Sequence, residues 1–279
     1  MTSGKLILCA TPIGNLEDVT LRLLRVLASV DVIACEDTRR TRKLLTHHGI
    51  QAGRLLTYNE GNERRRAPEI VGLIRNGKAV ALVSDAGMPG LSDPGFRLVR
   101  ACTEEGLMVE VVPGPTAAIS ALAISGLPPT RFVFEGFLPR KKGERRRRIE
   151  ELAVEQRTIV IYESPHRIEA TLEDLAEILG SRPAVLAREL TKMHEEVRRG
   201  TLEELLEGAR AVPPRGEIVV VIGGGLQRDR AVDPPSLARE ARALMDAGMD
   251  RRAAMQEVAR TAGVPRRAVF DALVEVEDS

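Results

Sequence analysis

Residues 79–95 read AVALVSDAGMPGLSDPG, an apolar run of strand length that ends abruptly in a loop of glycine, proline and aspartate. A buried strand that leads into such a loop places a ligand site at its carboxyl end, where open α/β sheets bind their ligands. The loop has two carboxylates, Asp85 and Asp93, and no lysine or arginine. A phosphate would require a cationic partner. The stretch therefore predicts a site for a neutral or positively charged ligand, which the glycines let the backbone approach closely.

Strand-like and helix-like segments alternate on both sides of this run, and the first helix is expected to start at Asp18. The predicted strands are 5–10, 32–35, 79–83, 108–112, 132–137, 158–162, 184–188 and 217–222. The alternation predicts an α/β fold with a mostly parallel sheet covered by helices. The sequence Pro113-Gly114-Pro115 interrupts it and predicts a domain junction. We expect an α/β domain over residues 1–112 and a second one over residues 113–228, whose additional strands favour mixed strand directions.

The tail has a different character. Residues 223–235 read as a linker, and residues 233–279 read as a small domain of amphipathic helices. A turn at Gly263-Val264-Pro265 precedes the last of these helices, which starts with Arg266-Arg267. This order is typical of a helix-turn-helix that contacts nucleic acid. A plain helical bundle for dimerisation or capping gives the same pattern, and both interpretations stay open.

Composition excludes several classes of protein. The 279 residues have a formal net charge of +1, although 29% of them are charged, so the distribution of charge matters more than its sum. Cys9, Cys35 and Cys102 are isolated in apolar surroundings, which argues against disulfides and against zinc and predicts core thiols. No histidine has metal-ligand spacing, so we expect no metal. The apolar run near the N-terminus is too short for a signal peptide or a membrane span, which predicts a cytoplasmic protein without membrane contact.

A polar cluster follows the second predicted strand. Glu36-Asp37-Thr38-Arg39-Arg40-Thr41-Arg42 places two carboxylates at the strand end and several cations just after them. The cluster could cap a helix with a solvated basic face, or it could bind an anion. Arg39, Arg40, Arg42 and Lys43 exceed what a cap needs, so we favour a functional interpretation.

Residues 140–148, RKKGERRRR, hold seven basic residues against one acidic residue. Such a run can be a solvated helix face. Its density in a nearly neutral protein favours contacts with the phosphates of a polyanion. Aromatic residues do not interleave with the cations, so base stacking is not predicted there.

Two more clusters follow later strands. The first contains His166 in Tyr162-Glu163-Ser164-Pro165-His166-Arg167, where a histidine at a helix start is more often structural than catalytic. The second places Lys192 among carboxylates in residues 189–196, ELTKMHEE. This cluster is either surface ion pairing of little energetic value or a lysine tuned for proton transfer.

Five of these segments, in this order, closely resemble motifs of the tetrapyrrole-methylase-like group of S-adenosylmethionine-dependent methyltransferases, and within it a branch that methylates small-subunit ribosomal RNA. The segments are 10–16 (ATPIGNL), 36–39 (EDTR), 84–90 (SDAGMPG), 112–117 (VPGPTA) and 162–167 (YESPHR). The resemblance covers roughly residues 5–225 and continues into the helical tail. It implies two α/β domains with the cofactor in the cleft between them. It also implies 2′-O-methylation of a cytidine near the decoding centre, and a homodimer.

The resemblance assigns roles to residues. The residues expected to touch S-adenosylmethionine are Pro12, Ile13, Asp85, Met88, Thr116, Ala117, Tyr162, Glu217 and Ile218. A sulfonium cation without phosphate suits the carboxylate-bearing loop at residues 84–95. Because a ribose hydroxyl is a weak nucleophile, a general base is expected. From charge placement, the candidates on the acceptor side are Glu36, Asp37, Glu189 and Lys192. The candidates for RNA contact are Arg39, Arg40, Arg140, Lys141, Lys142, Arg145, Arg146 and Arg147.

Two other functions stay open. A methyltransferase for a small tetrapyrrole would use the same architecture, because fold alone does not set the substrate. The arginine run and the helical tail argue against it, since a small macrocycle needs neither. A regulator that binds nucleic acid through the tail and senses the cofactor would never transfer a methyl group.

Overall fold

A computed structural model describes residues 4–51, 53–225, 234–262, 264 and 266–277. The chain divides into two compact units, residues 1–224 and 225–279. Within the described residues, the first unit contains two five-stranded sheets, and the second contains three helices. This confirms the predicted α/β class with a helical C-terminal part.

The first sheet is parallel throughout and has the strand order β3-β2-β4-β1-β5. Its elements are β1 (Lys5–Cys9), α1 (Leu21–Ser29), β2 (Val32–Cys35), α2 (Thr38–His47), β3 (Arg54–Thr57), α3 (Glu63–Arg75), β4 (Ala79–Val83), α4 (Phe96–Glu104) and β5 (Met108–Val112). Helices cover both faces, so β2 and nearly all of β4 are buried and consist of apolar residues without alternation. The strand order brings the loops after β1, β2 and β4 to one edge of the sheet.

The second sheet has mixed strand directions and the order β6-β7-β10-β8-β9. Its elements are α5 (Ala117–Ser125), β6 (Phe132–Phe137), α6 (Lys142–Leu152), β7 (Thr158–Glu163), α7 (Ile168–Leu179), β8 (Pro183–Arg188), β9 (Glu196–Thr201), α8 (Leu202–Ala211) and β10 (Ile218–Ile222). Only the β6–β7 pair is parallel, as the extra strands had indicated. Helix α5 packs on this sheet through Ala118, Ala121 and Leu122.

Side-chain caps account for several helix starts. Helix α1 begins at Leu21 rather than at the expected Asp18, because the Thr20 hydroxyl accepts a hydrogen bond from the Leu23 amide at 3.0 Å. Asp37 caps α2 in the same way, and Thr116 caps α5.

Two strands were not predicted. Strand β3 has only four residues, and the polar sequence of β9 gives no apolar alternation.

The three cysteines are free and buried, as predicted. Burial raises the pKa of the Cys9 thiol to about 12, so this thiol stays protonated at neutral pH.

The second unit is built from α9 (Pro234–Asp246), α10 (Arg251–Ala262) and α11 (Arg266–Glu277). Its core contains Leu237, Ala241, Val258 and Leu273. Most of the predicted linker 223–235 lies outside the described residues, as do Gly263 and Pro265 of the predicted turn. The choice between helix-turn-helix and plain bundle therefore stays a prediction. Among the described helices, none has the length and apolar character that a bilayer crossing requires.

Candidate active site

A cavity of about 220 Å³ opens at the carboxyl ends of the first sheet. The loops after β2 and β4 form one wall, with Glu36 and residues 85–93. The second sheet forms the other wall, with Tyr162, Leu190 and Ile218 among its residues. The cavity therefore lies in the cleft between the two sheets, where open α/β folds bind their ligands.

The carboxylates at the ends of β2 and β4 are joined through the backbone. The Asp85 amide donates to Glu36 Oε1 at 3.1 Å, and the Asp37 amide donates to Asp85 Oδ1 at 3.1 Å. Arg40 Nε lies 3.4 Å from Asp85 Oδ2. Burial raises the pKa of the Glu36 carboxyl, and the nearby Asp85 charge acts in the same direction. Glu36 is thus a fixed carboxyl with a greater than usual affinity for a proton.

The loop after β4 folds over the cavity in a constrained conformation. Ser84 is buried, and its hydroxyl donates to the Gly87 carbonyl at 3.1 Å. Gly87 has a φ of 80°, and Ser92 has a φ of 63°, a left-handed value that is uncommon for a residue with a side chain. Burial, followed by the charge of Glu36, raises the pKa of Asp93 to about 7. The loop therefore brings a second proton-retaining carboxyl to the cavity.

The second sheet contributes an aromatic wall. The Tyr162 hydroxyl accepts a hydrogen bond from the Ala118 amide at 3.2 Å, which fixes the ring against the first turn of α5. Phe134 and Phe137 lie with their ring centroids 5.1 Å and 5.6 Å from that of Tyr162. Phe137 lines the cavity with 53% of its surface exposed, so its ring is available for stacking.

A second cavity of about 260 Å³ shares a wall with the first. The shared residues are Ile13, Arg40, Asp85, Ala86 and Glu217. The second cavity alone is lined by Pro12, Gly14, Lys43 and Lys192, among others. Five carboxylates and one arginine line the first cavity, whereas three cations and two carboxylates, Asp85 and Glu217, line the second. The first cavity is therefore acidic, and the second has a small excess of positive charge on the other side of a common wall.

Lys192 is held from two sides. Its Nζ lies 2.9 Å from Glu189 Oε1 and 3.1 Å from Glu217 Oε2. Burial acts to lower the pKa of Lys192, but its hydrogen bonds and the two carboxylate charges outweigh burial, so the pKa is raised. Lys192 is therefore a fixed ammonium group and not a proton acceptor at neutral pH.

The structure brings most of the residues predicted to bind the cofactor together. Eight of the nine line the first cavity, namely Ile13, Asp85, Met88, Thr116, Ala117, Tyr162, Glu217 and Ile218. Pro12 lines only the second.

The four acceptor-side candidates lie in different parts of the site. Glu36 lines the first cavity, and Lys192 lines the second. Glu189 lines neither cavity, and its Oε1 accepts hydrogen bonds from Lys192 Nζ and from the Glu217 amide. Asp37 lines neither, and it caps α2 while pairing with Arg39 at 2.9 Å.

The sequence did not predict a role for several residues that line the cavities. Asp93 stands in the quoted loop, yet only its burial in the fold shows that its carboxyl differs from Asp85. Phe137 ends a predicted strand, and nothing in its spacing showed that it faces a cavity. Lys43 was counted among the cations after β2, but its helical position three residues after Arg40 is what brings both into one cavity.

The predicted RNA-contact run is partly structural. Arg145 is only 5% exposed and pairs with the buried Asp174 at 2.6 Å, which corrects the expectation that it contacts RNA. Arg146 bridges Asp174 and Glu177. The exposed cations of the run are Arg140, Lys141, Lys142 and Arg147, of which Lys141 pairs with Glu144. An arginine-rich helix therefore uses part of its charge to hold the fold together.

Comparison with known proteins identifies the class. The sequence profile of the tetrapyrrole (corrin/porphyrin) methylases matches residues 5–206. A ribosomal RNA small subunit methyltransferase I from Thermotoga maritima is 52% identical and aligns with 79% of this chain and 99% of its own length. The protein of the same name from Synechocystis sp. is 45% identical over 98% of this chain and 99% of its own length.

A solved structure shares the fold. The uroporphyrin-III C-methyltransferase from Thermus thermophilus, complexed with S-adenosylhomocysteine, superposes with a TM-score of 0.57 at 21% identity, over 79% of this chain and 97% of that one. The chain belongs to the tetrapyrrole methylase family, and within it to the ribosomal RNA small subunit methyltransferase I branch. It is a methyltransferase whose methyl donor is S-adenosylmethionine.

The first cavity fits this donor. Glu36, Asp85 and Asp93 line it, against a single cation among the described residues, Arg40. Such a donor set favours a sulfonium cation over a phosphate. Its apolar wall, with Leu190 and Ile218, suits the flat adenine ring. No cluster of histidine, cysteine and acidic side chains suited to a metal ion occurs in the described parts of the chain.

Proposed function

We propose that this protein methylates the ribose 2′-oxygen of a cytidine in small-subunit ribosomal RNA, near the decoding centre. The curated relatives support the ribosomal RNA substrate through their names. The observation that carries the proposal is the common wall between an acidic cavity and a basic one. Methyl transfer needs a cationic donor and a hydroxyl acceptor in line, and RNA brings its hydroxyl on a chain of phosphates.

Eight of the nine cofactor residues keep the roles that the resemblance gave them. Asp85 and Glu217 lie at the common wall, so they bind close to the transferring group. Met88, Thr116, Ala117, Tyr162 and Ile218 line the first cavity and enclose the remaining parts of the cofactor. Ile13 joins the two cavities, and Pro12 faces the acceptor side. When bound, S-adenosylmethionine supplies an electrophilic methyl group on a positively charged sulfur.

Glu36 is the proposed proton acceptor among the four candidates. Its Oε1 is occupied by the Asp85 amide, so Oε2 takes the proton of the ribose hydroxyl. Burial raises the pKa of Glu36, which strengthens it as a base. Lys192 stays protonated and positions the acceptor electrostatically, and Glu189 positions Lys192. Asp37 acts by capping the helix that carries Arg40.

RNA contacts are proposed for the exposed cations near the cleft. Arg140, Lys141 and Lys142 begin three residues after Phe137, the last residue of β6, which lines the first cavity. Arg39 and Arg147 are also exposed. Exposed cations at the rim of a cleft give RNA affinity that does not depend on base sequence.

A homodimer and the domain boundaries are proposed as well. The homodimer that the resemblance implies is checked by light scattering of the purified chain. The domain boundaries, at residues 112/113 and between 228 and 233, are checked by limited proteolysis, which cleaves exposed connections first.

The deciding experiment transfers labelled methyl from S-adenosylmethionine to purified small ribosomal subunits that lack the modification. The labelled nucleotide is then mapped. Label on one cytidine 2′-oxygen supports the proposal. Label on another atom or nucleotide refutes the stated position, and transfer to a precorrin-type substrate alone would establish the tetrapyrrole alternative.

A further inference from the structure

We propose that the second cavity is a phosphate-binding site for the RNA backbone beside the acceptor nucleotide, formed by Arg40, Lys43 and Lys192. This inference rests on the proposed function and adds to it the residues that hold the acceptor strand. Unlike the exposed arginine run, these cations belong to one cavity; Arg40 and Lys43 lie on α2, and Lys192 lies in the loop between β8 and β9.

The charge of the cavity selects an anion. Arg40 and Lys43 lie three residues apart on α2, so they project from one side of the helix. Arg40 pairs with Asp85 through Nε, so the N–H groups of its two terminal nitrogens can donate to a ligand. Lys43 is exposed and has no ion pair with any residue that the structure describes. A phosphodiester would supply the acceptor oxygens that these groups lack.

Lys192 reaches the cavity from a strained loop. Glu189 has a φ of 50° and Thr191 a φ of 67°, both left-handed values in residues with side chains. Such conformations are disfavoured and persist where the surrounding contacts impose them, often at functional sites. Here the contacts hold Lys192, because Glu189 binds its Nζ and the Thr191 hydroxyl accepts a hydrogen bond from the Asn15 amide at 3.1 Å. These contacts therefore keep the loop in its strained conformation and fix a cation at the junction of the two sheets.

The loop after β1 is shaped to admit this lysine. A Cβ atom at Gly14 would overlap Cγ of Lys192 and press on the Thr191 hydroxyl. Gly14 thus makes room for the lysine stem rather than for a turn. The ammonium group also binds Glu217, a residue of the wall that the two cavities share. A phosphate on Lys192 would consequently bring the adjacent ribose to that wall.

The test compares two neighbouring cations of α2. Lys43 lines the cavity, whereas Arg42 is equally exposed and does not line it. Binding of unmethylated small ribosomal subunits is measured for Lys43→Ala, Lys43→Arg and Arg42→Ala over a range of monovalent salt at fixed magnesium. Dissociation of S-adenosylmethionine is measured in parallel by calorimetry.

The proposal expects Lys43→Ala to raise Kd for subunits about tenfold, as the loss of one charge-assisted contact does. The slope of log K against log salt should become shallower by about 0.7, the value for one phosphate on a single strand. Lys43→Arg should restore both. Arg42→Ala should leave both near wild type, and cofactor Kd should stay unchanged in all three variants.

Equal Kd and equal salt slopes for Lys43→Ala and Arg42→Ala would overturn the phosphate site while wild-type methylation of subunits still supports the enzyme function. A wild-type protein that binds the cofactor but never labels subunits would overturn the proposed function, and this site with it. A loss of cofactor affinity in Lys43→Ala equal to its loss of subunit affinity would also refute a site dedicated to RNA.

Discussion

Asp85 and Glu36 fix each other across two adjacent strands, since the Asp85 amide donates to Glu36 Oε1 while Asp85 Oδ1 accepts from the amide after Glu36. The Glu36 side chain therefore needs no rearrangement before it accepts a proton. A general base in an in-line displacement requires preorganisation of this kind.

The first prediction separates Glu36 from its neighbour Asp37. Glu36→Gln keeps the carbonyl acceptor for the Asp85 amide but cannot take a proton, so kcat should fall about 100-fold with little change in cofactor Kd. Asp37→Ala should lower the urea midpoint of unfolding through loss of the helix cap, while kcat stays near wild type. Single-turnover rates and urea melts measure the two effects. A normal kcat in Glu36→Gln would show that another group acts as the general base.

The second prediction concerns Gly14. Gly14→Ala should displace the Lys192 stem and weaken binding of small subunits about as much as Lys192→Met does, because both remove the ammonium group from its place. The matched control is Gly72→Ala in α3, where a Cβ meets open space and the better helix former should stabilise the fold by about 0.5–1 kcal/mol. Subunit Kd and melting temperature distinguish the variants. Wild-type subunit affinity in Gly14→Ala would show that the lysine position is not critical.

The third prediction concerns the pH dependence caused by Asp93. Burial and the neighbouring carboxylates raise the pKa of Asp93 to about 7, above its ordinary value of 3.8. Between these two pH values the folded state binds more protons than the unfolded state, so the contribution of Asp93 to stability is lost as pH rises from about 4 to 7. Asp93→Asn should flatten that part of the profile of unfolding free energy against pH.

The same carboxyl should affect cofactor binding. A cationic ligand favours the ionised form of Asp93, so binding of S-adenosylmethionine should release a proton near pH 7 and tighten as pH rises. Calorimetry in buffers of different ionisation enthalpy counts that proton. Equal proton release by wild type and Asp93→Asn would exclude Asp93 as its source.

The fourth prediction divides the arginine run into structural and binding residues. Asp174→Ala leaves the buried Arg145 without its partner and should cost about 3–5 kcal/mol of unfolding free energy. Arg147→Ala, an exposed change on the same helix α6 as Arg145, should leave stability unchanged and make the salt slope of RNA binding shallower. Urea melts and subunit binding give the comparison. An Arg147→Ala variant that melts early and binds normally would reverse the assignment.

Much of the fold was predictable because apolar runs of strand length dominate it. The strands over 79–83 and 132–137 begin and end where the sequence indicated, since glycine, proline and aspartate follow or precede them. Strand β9 escaped prediction because its pairing with β8 comes from tertiary contacts and not from its own polar sequence.

The site was predictable where a motif marks a strand end, as at Asp85 and Tyr162. The roles of charged residues were less so, because they depend on partners distant in sequence. Arg145 was predicted to contact RNA with the rest of its run, whereas it is buried and pairs with Asp174, 29 residues away. Lys192 owes its raised pKa to Glu189, three residues before it, and also to Glu217, which no local pattern links to it.

The carboxylate cluster of the first cavity has a consequence for turnover. Each transfer converts a positively charged sulfur into a neutral one, and with Glu36 as acceptor the released proton stays in the same cavity. The total charge of the cavity is therefore conserved through the chemical step, because the loss of the sulfonium charge is offset by the neutralisation of Glu36. Only when that proton escapes to solvent do the carboxylates again repel one another, which makes proton loss the event that resets the enzyme for a new cationic donor.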